Sequence, residues 1–132
     1  MTRIITDSTS DIDLEYAKQL NIDIIPLKVI INGKEYRDRI DLQPDQFYDL
    51  LVNSDTLPTT SQPSPQDFLT FYEKAKEQQD SVIVITLSSV ISGTYQSANI
   101  AKDLVDYDDI YIIDSLGTTQ MQRLIVLKAV AL

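Results

Sequence analysis

The chain has 132 residues, 43% of them apolar, with 11 basic and 20 acidic side chains and a net charge of −9. That length suits one compact domain with its own core, and scattered basic residues in so acidic a chain argue against nucleic-acid binding. There is no cysteine and no histidine, which excludes disulfides, thiolate chemistry, cysteine or histidine metal sites and a Ser-His-Asp triad built from this chain alone.

Arg3 to Thr6 reads as a first buried strand, and Asp7-Ser8-Thr9-Ser10-Asp11 behind it is dense in helix-capping residues. Ile12, Leu14, Tyr16, Ala17 and Leu20 recur roughly at helical spacing, and Asn21 breaks that helix. Ile22 to Ile25 is the next apolar run, stopped by Pro26. Leu27 to Ile31 and Lys34 to Arg37 flank Asn32-Gly33, a pair that accepts positive φ and predicts a hairpin over residues 27–37. Pro44 to Val52 reads as a helix and Asp55 to Ser64 as a loop rich in Thr, Ser and Pro. Ser64 caps the next helix, with Pro65 as its first residue and Asp67 as the reciprocal partner.

Val82 to Leu87 is continuous and rich in β-branched residues, as in a strand covered on both faces. Thr94 to Val105 is a helix, Ile110 to Ile113 a strand, and Gln120 to Leu132 a helix apolar nearly all round. The alternation predicts an α/β fold in a single domain over 1–132, with a mainly parallel sheet flanked by helices and a small hairpin. The last helix needs protein on more than one side, which predicts self-association or packing on a second lobe or partner chain. The apolar part of the N-terminus is too short for a signal peptide, and no apolar run is long enough for a membrane span. With no cysteine, a cytoplasmic location is expected.

Ligands of parallel α/β sheets bind at the carboxyl ends of the strands. Four polar segments fall there or in a neighbouring loop: Asp7 to Asp11, Thr59 to Ser64, Ser88 to Thr94, and Asp114 to Thr119. Capping is the plain reading of the first, and Asp114-Ser115 is open between cap and site. Ser88 to Thr94 carries more hydroxyls than a cap needs, with Gly93 where a ligand would approach the backbone. A helix start so equipped suits a carboxylate or phosphate. Prolines 58, 63 and 65 stiffen the similar cluster Thr59-Thr60-Ser61. No glycine-rich nucleotide loop and no Gly-x-Ser-x-Gly elbow is present.

Taken in order, these motifs resemble the DegV family. The resemblance rests on Thr6-Asp7-Ser8-Thr9-Ser10-Asp11, Ile25-Pro26-Leu27, Thr60-Ser61-Gln62-Pro63-Ser64, Leu87-Ser88-Ser89, Ile91-Ser92-Gly93-Thr94-Tyr95-Gln96-Ser97-Ala98, Asp114-Ser115 and Leu124-Ile125-Val126. It implies a bacterial lipid-binding protein with no catalysis and no cofactor, which holds a long-chain fatty acid between two lobes and presents its carboxylate to a fatty acid kinase. It places Thr60 and Ser92 on the carboxylate, with Ser61 and the Gly93 backbone close by; Asp7, Ser8 and Ser115 are secondary candidates. It also implies a chain about twice this length, of which only the N-terminal lobe is present here. Met121 and Arg123 stand where the family commonly has glycine, and Val90 where it often has Gly or Lys. Two other readings stand beside it: a small acyl or phosphoryl transferase using Ser92 or Asp7, and a lobe that binds nothing by itself.

Overall fold

The computed structural model describes residues 1–132. Its main sheet has four parallel strands: β1 (Thr2–Asp7), β2 (Ile22–Ile25), β6 (Ser81–Thr86) and β7 (Ile110–Asp114), in the order β2-β1-β6-β7. Side chains of a strand alternate between the two faces, and here both faces are apolar. Ile5, Val82 and Val84 face one way, against Phe68, Tyr72 and Ala75 of α3 (Pro65–Gln78) and Ala98, Ala101 and Val105 of α4 (Thr94–Val105). Ile4 and Ile85 face the other way, against Ile12, Ala17 of α1 (Leu14–Gln19) and Val126 of α5 (Thr119–Ala131). Each fully buried isoleucine or valine in these clusters stabilises the fold by about 1.5–3 kcal/mol.

A second sheet, antiparallel, is ordered β4-β3-β5. Strands β3 (Lys28–Ile31) and β4 (Lys34–Arg37) form the expected hairpin, with Asn32 at φ 52 and Gly33 at φ 76, as a type I′ turn requires. The third strand, β5 (Thr59–Ser61), lies inside the segment expected to be loop. Its three residues are polar and carry no apolar alternation; its partner β3 is distant in sequence and supplies the pairing, Val29 with Thr60 and Ile30 with Thr59. Between these strands, α2 (Pro44–Val52) lays Phe47 and Leu50 on Val29, Ile31 and Leu42.

The helix starts follow their caps. Ser64 Oγ accepts from the Asp67 N–H at 3.3 Å while Asp67 Oδ2 accepts from the Ser64 N–H at 2.9 Å, closing the expected reciprocal box. Asp7 to Asp11 does not open α1. It forms a short 3-10 turn over Ser8–Ser10, and Asp13 caps α1 instead, so Ile12 is buried ahead of the helix. The final helix buries only Gln122 and Val126, and leaves Leu124 67% and Met121 57% exposed. No helix is long and apolar enough to cross a membrane.

Candidate functional site

The chain leaves β1 toward the α1 and α5 face and leaves β6 toward the α3 and α4 face. The loops after these adjacent strands therefore diverge at their carboxyl ends, which opens a crevice at the switch point between them. Thr9, from the turn after β1, lines one side of that crevice, and Ile91, Ser92 and Gly93, from the turn after β6, line the other.

Asp7 is fully buried. Its Oδ1 accepts from the Thr9 N–H at 3.0 Å, from the Gln122 amide at 3.0 Å and from the Thr9 hydroxyl, while Oδ2 accepts from the Leu87 N–H at 2.9 Å. These donors come from β1's own turn, the end of β6 and helix α5. Asp7 thus fastens the mouth of the crevice, and all its accepting capacity is directed inward. Ser8 is buried as well; its Oγ accepts from the Leu27 N–H at 3.0 Å and holds the chain where it enters β3.

The hydroxyls of the Ser88 to Thr94 turn divide into two sets. Ser88 Oγ accepts from the Val90 N–H at 3.2 Å, and the Ser89 hydroxyl donates to Asp114, so both serve the turn itself. Burial works to raise the Asp114 pKa, but the Ser89 hydroxyl and the amides of Leu116 and Ser89 together hold it below the ordinary value. Ser115 Oγ bridges to the Gly117 backbone at 3.2 Å and shapes the neighbouring turn. Ser92 and Thr94 form the second set, with hydroxyls 2.9 Å apart, and Ser92 Oγ also accepts from the Thr94 N–H at 3.3 Å. Thr94 is buried and Ser92 half-buried. Either hydroxyl of this pair can be the donor; where Thr94 donates, the Ser92 proton is free for a ligand. No carboxylate or amine hydrogen-bonds to Ser92, so its hydroxyl has no general base beside it.

Thr60 reaches the same place from β5. It pairs with Val29 and, by strand alternation, shares its face, whereas Thr59 and Ser61 face the other way. Thr60, Ser92 and Gly93 accordingly line one cleft of about 380 Å3, together with Thr9, Leu87 and Ile91. Ser61, Ser8, Asp7 and Ser115 do not line it. Gln62 does, and its Oε1 accepts from the Gly93 N–H at 3.1 Å. No protein group accepts from the Tyr95 and Gln96 amides at the start of α4, so the positive end of the helix faces the cleft.

Thr60 also lines a second, larger space of about 480 Å3, walled by Val29, Leu42, Phe47, Leu51 and Pro58. One end of this groove is charged: Arg39 donates to Asp11 at 3.0 Å beside Asp38, whose pKa burial pushes up against the Ser8 hydroxyl and the Arg39 charge. A polar cleft and an apolar groove therefore meet at one threonine. Met121 lies against Gly117, where an added Cβ would come within 2.7 Å of its sulfur; neither Met121 nor Arg123 lines the cleft or the groove. Gln62 and Thr9 lie within motifs that the sequence singles out but carry no ligand role there, and the apolar wall of the groove, Val29, Leu42, Phe47 and Leu51, has no mark as a site. Gln62 sat beside a recognised hydroxyl cluster, but only the fold brings it to Gly93.

The family model described as uncharacterised protein, DegV family, matches residues 1–132. A DegV domain-containing protein of Caldanaerobacter subterraneus is 44% identical over 126 residues, which is 96% of this chain and 45% of that protein. The crystal structure of a fat acid (stearic acid)-binding protein from Eubacterium ventriosum superposes with a TM-score of 0.92 at 34% identity, covering 99% of this chain and 47% of that one. The Streptococcus pneumoniae fatty acid kinase B3 protein, loaded with linoleic acid, superposes with a TM-score of 0.81 at 26% identity, over 97% of this chain and 46% of that one. The chain thus spans about half the length of these proteins. Sequence and architecture agree over essentially every residue: the chain belongs to the DegV family.

Proposed function

We propose that this chain forms the carboxylate-gripping half of a non-catalytic fatty-acid carrier. The observation that carries this reading is Thr60, which lines both the hydroxyl-rich cleft at the head of α4 and the apolar groove under α2. A long-chain fatty acid has the same two parts in the same order. Its carboxylate would take hydrogen bonds from Ser92 and Thr60 and the field of the α4 N-terminus, with the Gly93 N–H adjacent. Its tail would run along Val29, Leu42 and Phe47, gaining about 0.8 kcal/mol per buried methylene.

The relatives support the ligand class, since one similar protein binds stearic acid and another is loaded with linoleic acid. The kinase named with one of them supports a further step, in which the bound carboxylate is offered to a fatty acid kinase. Such a carrier needs grip and access, not a nucleophile, and the absence of a base beside Ser92 agrees with that division of labour. The test is mass spectrometry of lipid extracted from the purified protein, with oleate calorimetry beside it. A long-chain fatty acid in the extract and saturable oleate binding are expected; absence of both overturns the proposal.

A further inference from the structure

Gly93 sits at φ −82, a conformation open to any residue, so backbone freedom does not explain a glycine there. Space does. A Cβ on residue 93 would lie 2.3 Å from Gln62 Oε1 and 2.7 Å from Nε2. The missing side chain lets the Gln62 amide lie flat over the start of α4 and take the Gly93 N–H at 3.1 Å. Gln62 thus occupies a donor that an anion in the cleft would use. Its side chain is solvent-exposed and tethered by this one hydrogen bond, so it can leave at small cost.

We propose that Gln62 is the gate of this cleft: its amide oxygen stands in for the ligand's carboxylate on the Gly93 N–H and swings out when a fatty acid binds. The inference rests on the fatty-acid reading given above. The gate keeps the Gly93 N–H paired while the cleft is empty. It also sets the order of events, because a carboxylate gains the Gly93 donor only after Gln62 has moved.

The gate opposes binding by the worth of one exposed hydrogen bond, so removing it tightens binding about two- to fivefold. Oleate titrations by calorimetry of the wild-type chain, Gln62→Ala and Gln62→Glu test this. Gln62→Ala is expected to bind oleate about two- to fivefold more tightly than wild type. Gln62→Glu keeps an oxygen on the Gly93 N–H and adds a charge of the ligand's own sign, and is expected to bind more weakly than wild type. The Gly93 amide resonance gives a second readout without ligand: it should shift upfield in Gln62→Ala, as a released N–H does. Unchanged or weakened oleate binding in Gln62→Ala, or an unmoved Gly93 amide, overturns the gate while leaving the fatty-acid reading intact. Failure of the wild-type chain to bind oleate overturns both.

Discussion

The carboxylate of Asp7, at the end of the first strand, accepts from the side-chain amide of Gln122 on the last helix at 3.0 Å, and both residues are fully buried. The same amide donates to Thr6 Oγ1 at 3.1 Å, while the Thr9 hydroxyl lies 2.7 Å from Gln122 Oε1. Helix α5 is therefore docked by a polar lock as well as by Val126. Breaking the lock leaves buried donors and acceptors unpaired. Asp7→Asn turns one acceptor into a donor facing other donors, and is expected to cost about 2–3 kcal/mol. Gln122→Leu removes two donated bonds and is expected to cost about 1–3 kcal/mol. Urea denaturation of both variants checks this; an unchanged midpoint for Asp7→Asn would show that the residue is dispensable to the fold.

On the proposed reading Ser92 belongs to the grip and Ser97 to the scaffold. Ser92 lines the cleft, whereas Ser97 is buried within α4, its N–H donating to the Gly93 carbonyl at 2.9 Å. Loss of a hydrogen bond to a charged group costs about 1.5–3 kcal/mol. Ser92→Ala is thus expected to weaken oleate binding by about tenfold to a hundredfold, with Thr60→Val close behind and Ser97→Ala much less affected. Calorimetry with oleate measures all three, and equal effects at 92 and 97 would remove Ser92 from the headgroup.

Much of this arrangement was legible before folding. The main-sheet strands announce themselves because burial on both faces demands unbroken apolar runs such as Val82 to Leu87. Asn32-Gly33 and Ser64-Pro65 fix a turn and a helix start through local backbone chemistry alone. Thr60 and Ser92 were legible as hydroxyl clusters, and through family resemblance as partners in one site. What stayed hidden was non-local. The β5 strand depends on a partner distant in sequence, and the register of Thr60 with Val29 decides which hydroxyl of Thr59-Thr60-Ser61 turns to the cleft. The inward role of Asp7 depends on Leu87 and Gln122, neither of which marks itself in the sequence as its partner.

Acid stability follows from the carboxyls that the fold holds down. The Arg37 side chain lowers the Asp41 pKa to about 2, and the Arg3 guanidinium, 2.8 Å from Asp80, lowers that group as well. Asp114 is lowered too. A depressed folded pKa contributes stability that is complete above the unfolded value and is lost as pH falls through the folded one. Asp38, raised by burial, has the opposite sign: protonation favours its folded state, and its cost appears as pH rises through its folded pKa. The three lowered groups outnumber it, so stability should fall as pH drops from about 4 toward 2. Asp80→Asn should flatten that slope. Denaturation midpoints across this range test it, and a slope unchanged in Asp80→Asn would remove the Arg3 pair from the account.

The groove makes a prediction about chain length that the cleft does not. Val29 is 7% exposed, lies opposite Thr60 in the register, and stands where cleft and groove meet. In the wild-type chain each added methylene of a fatty acid should raise affinity about fourfold, the equivalent of about 0.8 kcal/mol. Val29→Phe places an aromatic ring at the junction. The added bulk is expected to cost about 1–3 kcal/mol of stability through overpacking, which thermal melts will show. The headgroup contacts survive, so short fatty acids should bind with near wild-type affinity, while the gain per methylene collapses and oleate binding drops at least tenfold. A calorimetric series from hexanoate to oleate on both proteins gives the two slopes directly. Parallel slopes would mean that the tail takes another route, and that the groove under α2 is not its bed.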